Sequence, residues 1–313
     1  MTVLVLGANG FIGKRVVRAL LERQQPVRML TRKPAGAAVE GLEVITGDLT
    51  DPQLPLEPLL AGCNIIINCA GEVTHEALMP ALHVAAVERL LAAIAGQACP
   101  TPLRWVQLSS VGAYGPAKGV RTVTEETAVN PQGVYEQTKT QADLLLMKHP
   151  ALAGPTADWT ILRPSNVFAR DMPNGSIRQL AAAIRKGMFF YVGYKTPVAT
   201  YVHADDVAQA LLKCAFDDRA SRQIFNLSND CPLHQVIDAL ARCQGVASPR
   251  MKVPESLVRL AVALGGRLVK LPLTQARVDA LVSQTRYPAD KLQRYLDFVP
   301  AHGVPTQIQE VLK

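Results

Sequence analysis

A phenol and an ammonium stand four residues apart in the segment Tyr135-Glu136-Gln137-Thr138-Lys139. On a helix that spacing puts both groups on one face. A free phenol ionises near about 10 and is a poor acid-base group at neutral pH. A fixed cation beside it stabilises the phenolate and lowers that value, so the pair reads as a proton-transfer device. Ser110 closes the run RWVQLSS, where a hydroxyl can hydrogen-bond a carbonyl or an alkoxide. Taken singly, a YxxxK pair and a serine at a strand end are both common.

A second constellation opens the chain. The apolar run TVLVLG leads into Gly7-Ala8-Asn9-Gly10-Phe11-Ile12-Gly13 and then into helical periodicity. Glycines so spaced permit a tight turn, close approach of backbone to a pyrophosphate and close helix packing, while the helix N-terminus offers N–H donors to the anion. The next apolar run, PVRMLT, ends in Thr31-Arg32-Lys33 and not in the carboxylate that would bind a ribose 2′-hydroxyl. A guanidinium there can pair with a 2′-phosphate and stack on adenine, so NADP(H) is expected, with NAD(H) as the alternative. Two solvated surface cations are the competing reading. Asp48, followed by Leu49, stands after the third apolar run, where it either accepts from the adenine amine or caps the next helix.

The elements that must hold these groups are legible as a rhythm. Strand-length runs TVLVLG, PVRMLT, LEVITG, NIIINCA, RWVQLSS and WTILRP alternate with helix-length segments, clearest over residues 76–96 and 134–148. Repeated βα units give an α/β fold with a doubly wound parallel sheet, whose ligands sit beyond the carboxyl ends of the strands. Residues 1–165 are therefore expected to form a Rossmann domain, rejoined by about 200–229 through QIFNLS. Residues 166–199 and 230–313 are expected to form a smaller, discontinuous substrate lobe. The 313 residues suffice for one large core with such an appendage, and 49% apolar with only 5% aromatic content fits a Val, Leu, Ile and Ala interior.

The net charge of +7 is concentrated early, in Lys14, Arg15, Arg18, Arg23, Arg28, Arg32 and Lys33 against Glu22. Without long basic runs or interleaved aromatics this suits a phosphorylated small molecule and not nucleic acid. The six cysteines (Cys63, Cys69, Cys99, Cys214, Cys231, Cys243) form no CxxC pair and are read as packed thiols, with no metal expected. An apolar strand at residue 2 without a charged leader predicts a cytoplasmic location. Residues 255–271 are too short and too charged to span a bilayer. They read as a helix packed on the second lobe, interrupted by Gly265 and Gly266; a membrane-surface contact through Arg259, Arg267 and Lys270 is the alternative.

In combination, GANGFIG, GDL, NCAG, SSVGAYG, YEQTK, LRPSNVF and YVHADDVA resemble the extended short-chain dehydrogenase/reductase family over essentially the whole chain. That family contains nucleotide-sugar epimerases, dehydratases and reductases. The resemblance implies Ser110, Tyr135 and Lys139 as catalytic trio, with Ser110 also on the substrate. It implies Ala70, Gly71 and Pro164 near the nicotinamide side, Asn166 on a substrate diphosphate, and a homodimer through 76–96 and 134–148. Apart from the resemblance, Asn166 could cap a turn. His203 falls in a segment the family uses structurally, so a buried, hydrogen-bonded histidine is expected. Two departures matter: His83-Val84 replaces the usual Asn-Val, and Val111-Gly112 replace the Asp-Glu of sugar dehydratases. The expected activity is NADP(H)-dependent reduction of a carbonyl, foremost a 4-keto nucleotide sugar. The alternatives are an epimerase, a hydroxysteroid or flavonoid-type reductase, and a non-catalytic NADP sensor.

Overall fold

The computed structural model describes residues 1–33, 38–96, 102–154, 156–265 and 274–312. Cys99, Gly266, Arg267 and Lys270 lie outside them. Among the described residues seven strands form one sheet in the spatial order Gln223–Leu227, Ala157–Pro164, Leu103–Leu108, Cys63–Asn68, Thr2–Leu6, Val27–Thr31, Leu42–Thr46. Every pairing is parallel, as in Val3 with Val27 and Leu4 with Ile66. The chain leaves Thr2–Leu6 toward one edge, then returns to its other side at Cys63–Asn68. That reversal opens a crevice beyond the carboxyl ends of these two strands, the usual ligand position in such sheets.

The opening strand is apolar at every sheet-facing position because both faces are covered. Val3 and Val5 pack with Val16 and Leu20 of the helix Gly13–Glu22 and with Val207 and Leu211 of the helix Ala204–Phe216. Leu4 and Leu6 face the other way, onto Leu90 and Leu91 of Ala86–Gly96 and Ala142 and Leu146 of Val134–Lys148. Burying each such side chain contributes roughly 1.5–3 kcal/mol. Gln223–Leu227 rejoins the sheet beside Ala157–Pro164, where the residue pattern places it.

The stretch 76–96 differs from the continuous α-helix its periodicity predicts. It begins as a tight turn at Glu76–Leu78, widens into a π-helical segment at Pro80–Ala85, and becomes α-helical only at Ala86–Gly96. Pro80 offers no N–H to a regular ladder, and the wide segment turns both His83 and Val84 into the interior. The second lobe has its own core, with Ile177, Ala181 and Ile184 from Ser176–Arg185 against Val236, Ile237 and Leu240 from Leu233–Cys243. It is joined to the sheet side by the parallel strands Asn166–Phe168 and Tyr201–His203. Cys63, Cys214 and Cys231 are buried and Cys69 half-buried, but Cys243 is exposed at the end of its helix, contrary to the expectation of packed thiols.

Candidate active site

At the crevice the chain turns at Gly7, whose φ of +69° is open to glycine at no cost. A Cβ at Gly7 would stand 2.6 Å from the backbone nitrogen of Ala70, one at Gly10 3.0 Å from the Gly7 carbonyl oxygen, and one at Gly13 would overlap that same oxygen. The turn, the strand end at residue 70 and the following helix are thus in backbone contact. The helix Gly13–Glu22 has neither a side-chain cap nor an acidic residue in its first turn, so its N-terminus is left for an external anion. This cradle fits a dinucleotide pyrophosphate. Ile12 is buried and Phe11 half-buried beneath the Arg15 guanidinium, 4.8 Å from the ring centre.

Asn9 donates from Nδ2 to Thr31 Oγ1 at 2.6 Å, tying the glycine turn to the strand end that carries the exposed Arg32 and Lys33. Asp48 accepts from the Thr50 backbone N–H and hydroxyl at 2.9 and 2.7 Å. These bonds, and the charge of Arg32, hold its carboxyl below the usual range. One Asp48 oxygen therefore serves the local turn, and Leu49 beside it is buried. Much of the early positive charge is structural: Arg28 meets Glu43, while Lys14 and Arg15 meet Asp171 and Arg15 also meets Asp205.

Beyond the strand Leu103–Leu108, Ser110 Oγ accepts from the Gly112 N–H at 3.0 Å, which leaves its own proton free to donate. Tyr135 and Lys139 lie one turn apart at the start of Val134–Lys148, and Lys139 is only 4% exposed. Burial pushes the Tyr135 phenol up to about 12, with the charges of Glu136 and Asp143 acting in the same direction. The lowering expected from Lys139 is not seen: desolvation and the two carboxylates all act to raise the phenol. Burial also lowers Lys139, against the favourable charges of Asp143 and Cys69.

Three features lie behind these residues, of which the sequence marked only His83, as a departure from the usual Asn-Val. The first is a buried ion pair: Arg163 Nη2 and Ser109 Oγ both donate to Asp143 Oδ2, at 2.9 and 2.8 Å. Asp143 follows Lys139 by another i, i+4 step, so its alignment with the YxxxK face was readable. The second is Glu72, whose carboxylate accepts from the N–H groups of Val73, Thr74 and His75, bonds led by Thr74 that lower it to about 2. The third is His83, buried, within hydrogen-bond reach of the Glu72 N–H and of Thr138. Ala70 and Gly71 precede Glu72 in the same loop, and Ala70 N donates to Asn68 Oδ1 at 3.1 Å.

Pro164 ends its strand buried, and Asn166 two residues later is exposed. Asn166 Nδ2 donates to the Thr200 carbonyl at 3.0 Å, which engages one of its two amide N–H groups. His203 is buried, bonded through Nε2 to Glu310 at 2.7 Å and through Nδ1 to the Asp205 N–H at 3.2 Å, and stacked on His302. His203, Asp205 and His302 bring ligand atoms within 4.8 Å of one another, but both nitrogens of His203 are already engaged by protein groups.

The sequence model of the NAD dependent epimerase/dehydratase family matches residues 3–228. A Stigmatella aurantiaca protein named 4-hydroxy-2-methyl-3-oxo-4-farnesyl-3,4-dihydroquinoline-1-oxide ketoreductase is 25% identical over 303 residues, covering 95% of this chain and 86% of that protein. The dTDP-6-deoxy-L-talose 4-dehydrogenase (NAD(P)(+)) of Kitasatospora kifunensis is 26% identical over 267 residues, 80% of this chain and 82% of its own length. Among solved structures, UDP-glucuronic acid 4-epimerase from Bacillus cereus in complex with NAD has the same fold, with a TM-score of 0.73 at 16% identity over 99% of this chain and 97% of that one.

Proposed function

Because the chain belongs to the NAD dependent epimerase/dehydratase family, whose members use a nicotinamide dinucleotide, we propose that it is an NADP(H)-dependent ketoreductase. The observation that carries this reading is the strand end Thr31-Arg32-Lys33, exposed beside the glycine turn and lacking a carboxylate for the 2′-hydroxyl. An exchangeable NADP(H) site suits hydride supply from a reduced pool, which an epimerase does not need. A nicotinamide bound in the crevice would supply the hydride. Tyr135 gives its proton to the carbonyl oxygen as the alkoxide forms; the phenol, raised to about 12, is a weak acid that holds its proton until that more basic alkoxide develops. Ser110 donates a hydrogen bond to the same oxygen, its Oγ held by the Gly112 N–H. Lys139, buried one helical turn after Tyr135, is the residue that would supply positive charge to this site and bind the nicotinamide ribose.

For the substrate we propose a 4-keto nucleotide sugar. Supporting this, the relative from Kitasatospora is named for oxidoreduction at a sugar C4. A lipophilic ketone is the second reading, favoured by the farnesylated compound in the Stigmatella relative's name and by Leu257 and Leu260 exposed on Glu255–Gly265. The test is the purified protein with NADPH and each class of ketone. Stoichiometric loss of reduced nicotinamide and a product heavier by two hydrogens are expected with the nucleotide sugar. An isomer of unchanged mass without NADPH loss would establish an epimerase.

A further inference from the structure

His83 occupies a position fixed from three sides. The Glu72 backbone N–H donates to its Nε2 at 2.9 Å, and its Nδ1 lies 2.8 Å from Thr138 Oγ1. Thr138 Oγ1 in turn donates to the Val134 carbonyl at 2.8 Å, in the first turn of the helix that carries Tyr135. The His83 ring also meets the Tyr135 ring edge-on, with centroids 5.7 Å apart and planes at 82°. The direction of each bond follows from the first. A backbone N–H can only donate, so Nε2 is an acceptor, and the neutral ring must carry its proton on Nδ1 and give it to Thr138. Burial and the charge of Lys139 keep the ring neutral. The Thr138 hydroxyl accepts from the imidazole and donates its own hydrogen bond to the Val134 carbonyl.

This relay joins two parts of the crevice that the sheet alone does not hold in register. One is the loop Ala70–Glu72, after Cys63–Asn68; the other is the first turn of Val134–Lys148. The π-helical segment Pro80–Ala85 delivers His83 between them, and such irregular turns are frequent at functional sites. We propose that His83 is a positioning residue: with fixed tautomer it spaces the Ala70–Glu72 loop from the catalytic helix and sets the orientation of the Tyr135 phenol. It acts through Tyr135, so the proposal rests on the reading of Tyr135 as proton donor.

The two nitrogens can be tested separately. The amide oxygen of His83→Gln can reach the place of Nε2 and keep the Glu72 N–H, whereas the amide nitrogen of His83→Asn falls near Nδ1 and keeps only Thr138. His83→Asn should accelerate amide hydrogen exchange at Glu72, and His83→Gln should leave it near the original rate. Loss of either half of the relay, by His83→Asn or by Thr138→Val, should lower kcat about threefold to tenfold, as expected of one lost buried hydrogen bond, with substrate KM nearly unchanged. His83→Phe combined with Thr138→Val should cost no more kcat than His83→Phe alone, because both break one relay. A merely structural residue would lower the melting temperature without changing kcat of the folded fraction. The proposal is overturned if His83→Asn speeds exchange at Glu72 yet keeps kcat within twofold of the original, or if exchange there does not change. Full activity of Tyr135→Phe would instead sink the proton-donor reading, while the exchange results at Glu72 would stand.

Discussion

Removing the phenolic oxygen in Tyr135→Phe should lower turnover by at least roughly 100-fold, the contribution typical of a general acid, with cofactor affinity little changed in fluorescence titration. His83 yields a second expectation, on stability. Its folded-state value is about 4 against an ordinary 6.5, so below 6.5 the unfolded chain binds a proton that the buried ring refuses. Stability from this group is complete above pH 6.5 and is lost as pH falls toward about 4. Glu72, lowered from 4.5 to about 2, loses its contribution only below about 4.5, which separates the two groups. Urea unfolding across pH 4.5 to 6.5 should therefore show a slope that flattens in His83→Gln. Ser110, Tyr135 and Lys139 could be proposed from the sequence because their types and spacing, together with the family resemblance, suggest a chemistry. Asp143 and Glu72 could not, and His83 showed only as a departure from Asn-Val, since none of them has a role until the fold brings Arg163, three backbone N–H groups or Thr138 to it.

The parallel sheet was readable because strands covered on both faces appear as unbroken apolar runs, and Gly7, Gly10 and Gly13 mark a turn that no larger residue fits. The π-helical segment escaped detection, because an α-helix and its wider variant share nearly the same apolar spacing over two turns. Tyr191–Val192 lies in the apolar run FFYVG, readable as a strand, whereas Val198–Ala199 carries too few residues for any alternation to emerge. Selectivity for the cofactor belongs to the strand Val27–Thr31 and the loop it feeds. Replacing Arg32 and Lys33 by Ala should weaken NADPH more than NADH by about tenfold or more, since charge-assisted hydrogen bonds to the 2′-phosphate contribute about 1.5–3 kcal/mol each. Equal losses for both cofactors in fluorescence titration would contradict the assignment.

The molecule as a whole presents apolar side chains on the face where the family resemblance places a homodimer, with Leu144 and Met147 each 39% exposed on Val134–Lys148. Leu144→Glu should convert a dimer to monomers in light scattering, and a monomeric original protein would dispose of the dimer. The order in which the sheet is laid down carries a further consequence. An inner strand, Thr2–Leu6, is synthesised before its neighbours, while the helix Ala204–Phe216, which packs with Val3, Val5, Ile65, Ile67 and Val106 on one face, comes much later. At ribosomal rates, on the order of ten seconds separate the emergence of Leu103–Leu108 from that of its cover. During that interval the nascent chain exposes a ready apolar sheet face to other chains, so its yield in a cell should depend on chaperone capacity more than on final stability. A chain halted after residue 165 should gather in aggregates, and one halted after Gln223–Leu227 should remain dispersed.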